Sequence, residues 1–365
     1  MTEDLMTPYI HKLTWSRPTG GPRPTPDGIE RTFLSTPSGP LDLHFALPTT
    51  TSPLASSTNP PLLFIHGGFG SSLCYKNYLP FFSSFGYSSY AISLRGHGDS
   101  YNPGYLKLYF TSRQTFLSDL RYAIRHIQTI HGTSPILIGH SAGGGLAQDL
   151  IAQNLEPISG LVLLSAIPGY GSYLVNFNWL KFDPYMTIRM VFLHFFHPRS
   201  PLSSTSLVHT AFFSSQMPLP QIREVERTMA HYESMFWPLS MRRQFVDPVK
   251  VIKNLLGTWA DERKLRGNKT AGQSGRILVV AGEGDKLMTL DLMTKLAEWY
   301  RAALITIRLQ EKKDDNDESP DIEEGDEGQV ELKVAPGVGH HMMLDVRWRE
   351  SAEIVLEWLQ KTSVS

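Results

Sequence analysis

The chain has 365 residues, 41% hydrophobic and 19% charged, with a formal net charge of −1. That composition supports a substantial buried core and excludes wholesale disorder. The length suits a large α/β core carrying an insertion, and the near-neutral charge gives no global pull towards nucleic acid or an anionic membrane.

One cysteine, Cys74, excludes an intrachain disulfide. Met1 to Leu5 is acidic and lacks the apolar stretch of a secretory signal. No apolar run reaches the roughly 18 residues of a membrane span, and Thr362 to Ser365 is not a peroxisomal address. The expectation is a soluble, cytoplasmic protein with no stable membrane insertion.

Residues 1–30 are rich in Pro and Gly and read as an irregular leader. Thr32 to Thr36 and Leu41 to Ala46 read as two short strands about a Pro-Ser-Gly-Pro turn. Pro48 to Pro61 is a Ser/Thr/Pro tract, expected to be a loop. Leu62 to His66 is a buried strand followed at once by Gly67-Gly68-Phe69-Gly70. A helix from Ser72 to Phe85, a strand over Ser88 to Ser93 and the turn Arg95-Gly96-His97-Gly98-Asp99-Ser100 come next. Phe116, Leu120, Ala123, Ile124 and Ile127 recur at helical spacing, predicting a helix over Ser112 to His131.

Ile136-Leu137-Ile138 is the uninterrupted apolar run of a strand covered on both faces. It leads into Gly139-His140-Ser141-Ala142-Gly143 and then a helical run to Gln153. Gly-x-Ser-x-Gly between a strand and a helix is a nucleophile elbow, in which the turn lifts the serine hydroxyl to the edge of the sheet. Gly160 to Ser165 is another buried strand. From Pro168 to about Gly275 the α/β rhythm breaks into an aromatic-rich, helical segment. It resumes with the strand Arg276 to Ala281, the turn Gly282-Glu283-Gly284-Asp285 and a helix to about Tyr300. Leu304 to Leu309 and Val330 to Val334 both read as strands, separated by the acidic stretch 311–329. Pro336 to His341 is a turn, and Asp345 to Leu359 a closing amphipathic helix.

These residues resemble the α/β-hydrolase superfamily over nearly the whole chain. His66-Gly67-Gly68, the elbow at Ser141, the strand end at Asp285 and Gly339-His340 fall in that superfamily's order of serine, acid and histidine. The resemblance implies an α/β-hydrolase fold: a mostly parallel central sheet flanked by helices, with core segments 31–167 and 276–365. Residues 168–275 would form an inserted helical cap, and 311–329 an acidic surface loop. Catalytic roles would fall to Ser141 as nucleophile, His340 as base and Asp285 as the acid that orients it. His341 is the rival base and Glu283 the rival acid. The oxyanion hole would draw N–H groups from Ala142 and from Gly68 or Phe69. His66 and His97 read as turn residues.

Most cap aromatics are expected to form the cap's own core and a minority to line a deep apolar pocket. The run Met190 to Phe196 is an alternative membrane-touching surface, interrupted by Arg189 and His194. His194 and His197 lack the acidic or Cys partners of a metal site, and Gly143-Gly144-Gly145 lacks the lysine of a phosphate loop. The expectation is a cofactor-free, metal-free serine hydrolase acting on an ester or thioester of a small-to-medium apolar substrate. Lactone opening or carbon–carbon cleavage at the same site, and a non-enzymatic ligand sensor on the same scaffold, are the alternatives.

Overall fold

A computed structural model describes residues 13–16, 20–48, 59–266, 276–314 and 329–364. Parts of the expected leader, most of the Pro48–Pro61 tract and most of the acidic stretch 311–329 lie outside the described residues, as does the side chain of Trp259.

Eight described strands form one sheet: β1 (Glu30–Leu34), β2 (Leu41–Ala46), β3 (Leu62–Ile65), β4 (Ser89–Ile92), β5 (Ile136–His140), β6 (Gly160–Leu164), β7 (Ile277–Gly282) and β8 (Val330–Ala335). Their order is β1-β2-β4-β3-β5-β6-β7-β8. Strand β2 pairs antiparallel with both neighbours, and every pairing from β4 to β8 is parallel. Each residue of β3, β5, β6 and β7 is buried, as uninterrupted apolar runs require of strands covered on both faces. Each such Leu, Ile or Val contributes about 1.5–3 kcal/mol by leaving water.

The helices are α1 (Tyr78–Ser84), α2 (Tyr105–Tyr109), α3 (Arg113–His131), α4 (Ala142–Ala152), α5 (Tyr173–Phe182), α6 (Met186–Ile188), α7 (Thr205–Phe212), α8 (Leu219–Thr228), α9 (Phe236–Ser240), α10 (Pro248–Arg266), α11 (Leu290–Asp314) and α12 (Trp348–Val364). The predicted apolar stripe of α3 is wholly buried. Ser112 caps its start by accepting the Thr115 N–H, and Gly132 ends it in the left-handed region at φ +67°.

Three expectations need correction. The helix foreseen from Ser72 splits into a 3₁₀ turn over Ser72–Tyr75 followed by α1. The strand foreseen over Leu304 to Leu309 is the continuation of α11. Its apolar run suggested a strand, but Tyr300, Ala303, Leu304 and Ile307 are buried at helical spacing, while Ile305 and Leu309 are exposed. The third concerns the aromatics inserted between β6 and β7. Phe212, Phe213, Tyr232 and Trp237 are buried, but Phe177, Tyr185, Phe192, Phe195, Phe196 and Phe236 stand in solvent, Phe195 at 76% exposure. No described helix is long and apolar enough to cross a membrane.

Candidate active site

Ser141 follows the last residue of β5 and precedes α4 with φ +51° and ψ −123°, outside the ordinary regions for a residue bearing a Cβ. The local sequence makes this turn attainable by removing side chains. A Cβ on Gly143 would sit 2.3 Å from the His66 carbonyl oxygen, and one on Gly144 would sit 2.4 Å from the Ala166 Cβ. A Cβ on Gly67 would meet the Ser141 Cβ at 2.7 Å, so the glycine loop after β3 lies directly against the nucleophile candidate.

Asp285, past the end of β7, and His340, past the end of β8, come together although 55 residues separate them. The His340 Nδ1–H donates to Asp285 Oδ2 at 2.8 Å, with both side chains buried. Asp285 Oδ1 accepts the N–H groups of Leu287 (2.8 Å) and Met288 (2.9 Å). Burial by itself would raise this carboxyl's pKa. The charge and hydrogen bond of His340, with the Met288 amide, outweigh it and hold Asp285 below its ordinary value. Asp285 is therefore ionised at neutral pH and fixes the ring so that Nε2 is the nitrogen left for chemistry. Ser141 Oγ makes no hydrogen bond among the described residues.

The rivals sit elsewhere. His341 stacks on Phe212 with ring centroids 4.3 Å apart, and its buried Nδ1 has no hydrogen-bond partner among the described residues. Burial, reinforced by His340, lowers its pKa to about 3. Glu283 accepts the N–H of Gly337 at 2.8 Å, on the outer side of the turn, and stays exposed.

A shell around the three residues escaped sequence reading. His140 Nε2 donates to the His340 carbonyl at 3.0 Å, tying the elbow to the histidine loop. Burial, then the neighbouring His340 and His341, keeps its pKa well below the ordinary imidazole value, so it stays neutral. Asp345 accepts the N–H groups of Gly339 (3.2 Å) and Ser214 (2.8 Å) and the Ser214 hydroxyl (2.8 Å), pinning that loop to the insertion. Phe212 at the end of α7 stacks on His340 at 5.6 Å, which places an apolar wall beside that ring.

One expectation for the oxyanion hole is overturned. Phe69 has φ +61°, and its N–H donates to the carboxylate of Glu233 in the insertion at 2.8 Å. While that bond stands it has no donor to offer a substrate. Gly68 and Ala142 remain as candidates, Ala142 because the first amides of a helix lack a carbonyl partner within it.

His194 and His197 direct ring nitrogens at protein groups, the Ser200 hydroxyl and the Thr14 carbonyl. Burial pushes the Cys74 thiol up to about 11, which makes it a poor nucleophile. A cavity of about 470 Å³ opens among Arg23, Asp99, Asn102, Ala230 and Tyr232. None of Ser141, Asp285 and His340 lines it, so it is separate from this site.

The sheet order, the strained serine and the paired acid and histidine agree with a sequence comparison in which the model of the alpha/beta hydrolase family matches residues 62–354. The chain belongs to the alpha/beta hydrolase family. Its strand order and flanking helices are those of the α/β-hydrolase fold. No curated protein matches the sequence. Solved structures resemble this hydrolase in fold. A thermophilic esterase is 20% identical with a TM-score of 0.51, covering 92% of this chain and 98% of that one. A structure from work on carboxylesterases of Nitrososphaera gargenis is 16% identical, with a TM-score of 0.55 and coverage of 91% and 99%. A soluble variant of monoglyceride lipase from Saccharomyces cerevisiae, bound to a substrate analog, is 15% identical, with a TM-score of 0.54 and coverage of 92% and 96%.

Proposed function

We propose that the protein is a serine hydrolase that cleaves an ester or thioester of a small-to-medium apolar molecule through an acyl-enzyme. The reading rests on the buried His340–Asp285 hydrogen bond of 2.8 Å, taken together with a serine held at φ +51° on a strand-to-helix turn. A serine hydroxyl is a poor nucleophile until a base takes its proton. His340 Nε2 takes it as Ser141 Oγ attacks the carbonyl, and Asp285 stabilises the imidazolium that forms. The tetrahedral oxyanion rests on the N–H groups of Gly68 and Ala142. Collapse expels the alcohol or thiol, protonated by His340. Water, deprotonated by the same nitrogen, then releases the acid and restores Ser141. The segment between β6 and β7 acts as a cap, with Phe212 supplying apolar contact beside the imidazole. No metal or cofactor takes part in these steps.

Steady-state turnover of short acyl esters and thioesters by the intact protein tests the reading. Ser141→Ala lowers kcat by about 10⁶ at unchanged fold, the scale of loss of a serine from a working triad. Equal rates for wild type and variant reject the assignment.

A further inference from the structure

Glu233 is buried and lies 164 residues from Phe69 in the chain, yet its carboxylate joins the insertion to two core loops. Oε2 accepts the Phe69 N–H at 2.8 Å and meets His97 Nε2 at 2.7 Å, while Oε1 accepts the Ser234 N–H at 2.7 Å. The insertion also donates the Ala230 N–H to the Phe69 carbonyl at 2.9 Å. Both backbone polar groups of Phe69, a residue in the left-handed region, are therefore held from the insertion.

The protonation of this contact follows from its partners. His97 Nδ1 lies 3.0 Å from the Arg95 carbonyl, which only accepts, so Nδ1 carries a hydrogen. Nε2 and Oε2 at 2.7 Å then need a proton between them, because two lone pairs at that separation repel. Whichever atom owns the proton, the His97–Glu233 pair has no net charge. That matters because a Cβ built on Gly68 would lie 3.8 Å from Oε2. An unneutralised carboxylate there would oppose an oxyanion forming on the Gly68 amide.

We propose that Glu233 is a positioning residue for the oxyanion hole. It turns the Phe69 N–H into the insertion, holds loop 67–70 so that Gly68 is the amide offered to the oxyanion, and makes competence of the hole depend on seating of the insertion. His97 keeps the grip electrically neutral. The inference rests on the serine-hydrolase reading, but its structural half is measurable without turnover.

Three proteins test it: wild type, Glu233→Gln and Glu233→Met. The Gln carbonyl, in the place of Oε2, keeps an acceptor for the Phe69 N–H and sets its NH₂ against the Ser234 N–H in the place of Oε1, and Met fills the volume while offering no acceptor. Hydrogen–deuterium exchange of a peptide spanning 67–72 gives the first readout. Exchange in Glu233→Met is at least about 10-fold faster than in wild type, and Glu233→Gln stays close to wild type. Ester kinetics give the second. Glu233→Met loses about 10- to 100-fold in kcat at nearly constant KM, short of the 10²–10³ for deleting a donor outright, and Gln, which keeps the Phe69 bond but removes the charge partner of His97, restores part of it. Wild-type exchange and kcat in Glu233→Met overturn the proposal, as does exchange at 67–72 in Glu233→Gln as fast as in Glu233→Met. If Glu233→Met does not fold, Glu233→Asp, one methylene too short to span both partners, replaces it: lower kcat at constant KM supports the proposal and wild-type kcat overturns it. A wild-type protein inert to every ester would count against the functional reading alone, because exchange at 67–72 still decides whether Glu233 holds the loop.

Discussion

The two ends of this molecule's chemistry are built on different physical terms. At the carboxyl end of the sheet, backbone runs against backbone: Gly139, Gly143, Gly144 and Gly67 stand where a single Cβ would collide with a neighbour within about 3 Å. In the insertion, side chains set the arrangement. Part of it is buried and hydrogen-bonded to the core through Glu233, Ser214 and Ala230. Another part, from Tyr173 to Phe196, holds exposed aromatics on short helical turns, two of them (Phe195 and Phe196) at positive φ. The first region tolerates one backbone path. The second is under local strain and open to change, which is the division expected when one scaffold serves many substrates.

Four variants and a titration would break or sharpen this contrast. The largest effect after loss of Ser141 itself belongs to Asp285→Asn, which keeps the shape but removes the charge that orients His340. We expect kcat to fall about 10⁴-fold with KM little changed. A decrease under tenfold would mean that Asp285 is a turn residue and nothing more. Gly143→Ala comes next. Its methyl would collide with the carbonyl oxygens of Ile65 and His66, backbone atoms that cannot step aside. Chemical denaturation would show a loss of about 3 kcal/mol, at the upper end for overpacking. Phe195→Ser in the exposed stretch should stay within about 0.5 kcal/mol of wild type. Similar losses at both positions would erase the distinction between the regions.

The third effect is a pH dependence. His66, His140 and His341 are buried, and burial lowers each pKa, that of His341 to about 3. Their folded values lie below the unfolded one, so between about pH 6.5 and pH 3 the unfolded chain binds more protons than the native one. Their contribution is complete above about 6.5 and is lost as pH falls through that window. Urea midpoints measured from pH 7.5 to 4.5 should decline steadily. His341→Phe, which keeps the stack on Phe212, should decline less. An unchanged midpoint across that range would contradict the buried, neutral state of these rings.

The elbow was legible because its signal is local. Three apolar residues, a spaced pair of glycines and a helical run lie within about twenty positions, and each demands its neighbours. Asp285 and His340 were legible as residues that follow strands and, through the resemblance, as an acid that orients a histidine, which the 2.8 Å bond between them matches. The contribution of Glu233 was invisible. Nothing around it marks it, and its partners Phe69 and His97 are 164 and 136 residues away. Phe69 was misread for the same reason, since a glycine loop predicts free amides and only the fold reveals who takes them. Leu304 to Leu309 misled because five of its six residues are apolar or β-branched and fit a strand as well as a turn and a half of helix, until burial separates the periods. The exposed aromatics misled because composition tells how much apolar surface a segment has, not whether enough neighbours exist to cover it.

The account stands on Ser141 as the nucleophile, and intact-mass analysis after exposure to an alkyl fluorophosphonate reads that directly. The predicted result is one adduct per chain, mapped by peptide sequencing to Ser141, with Ser141→Ala unlabelled and His340→Ala labelled far more slowly. Wild-type protein left unmodified by excess reagent, or an adduct that persists in Ser141→Ala, would contradict it.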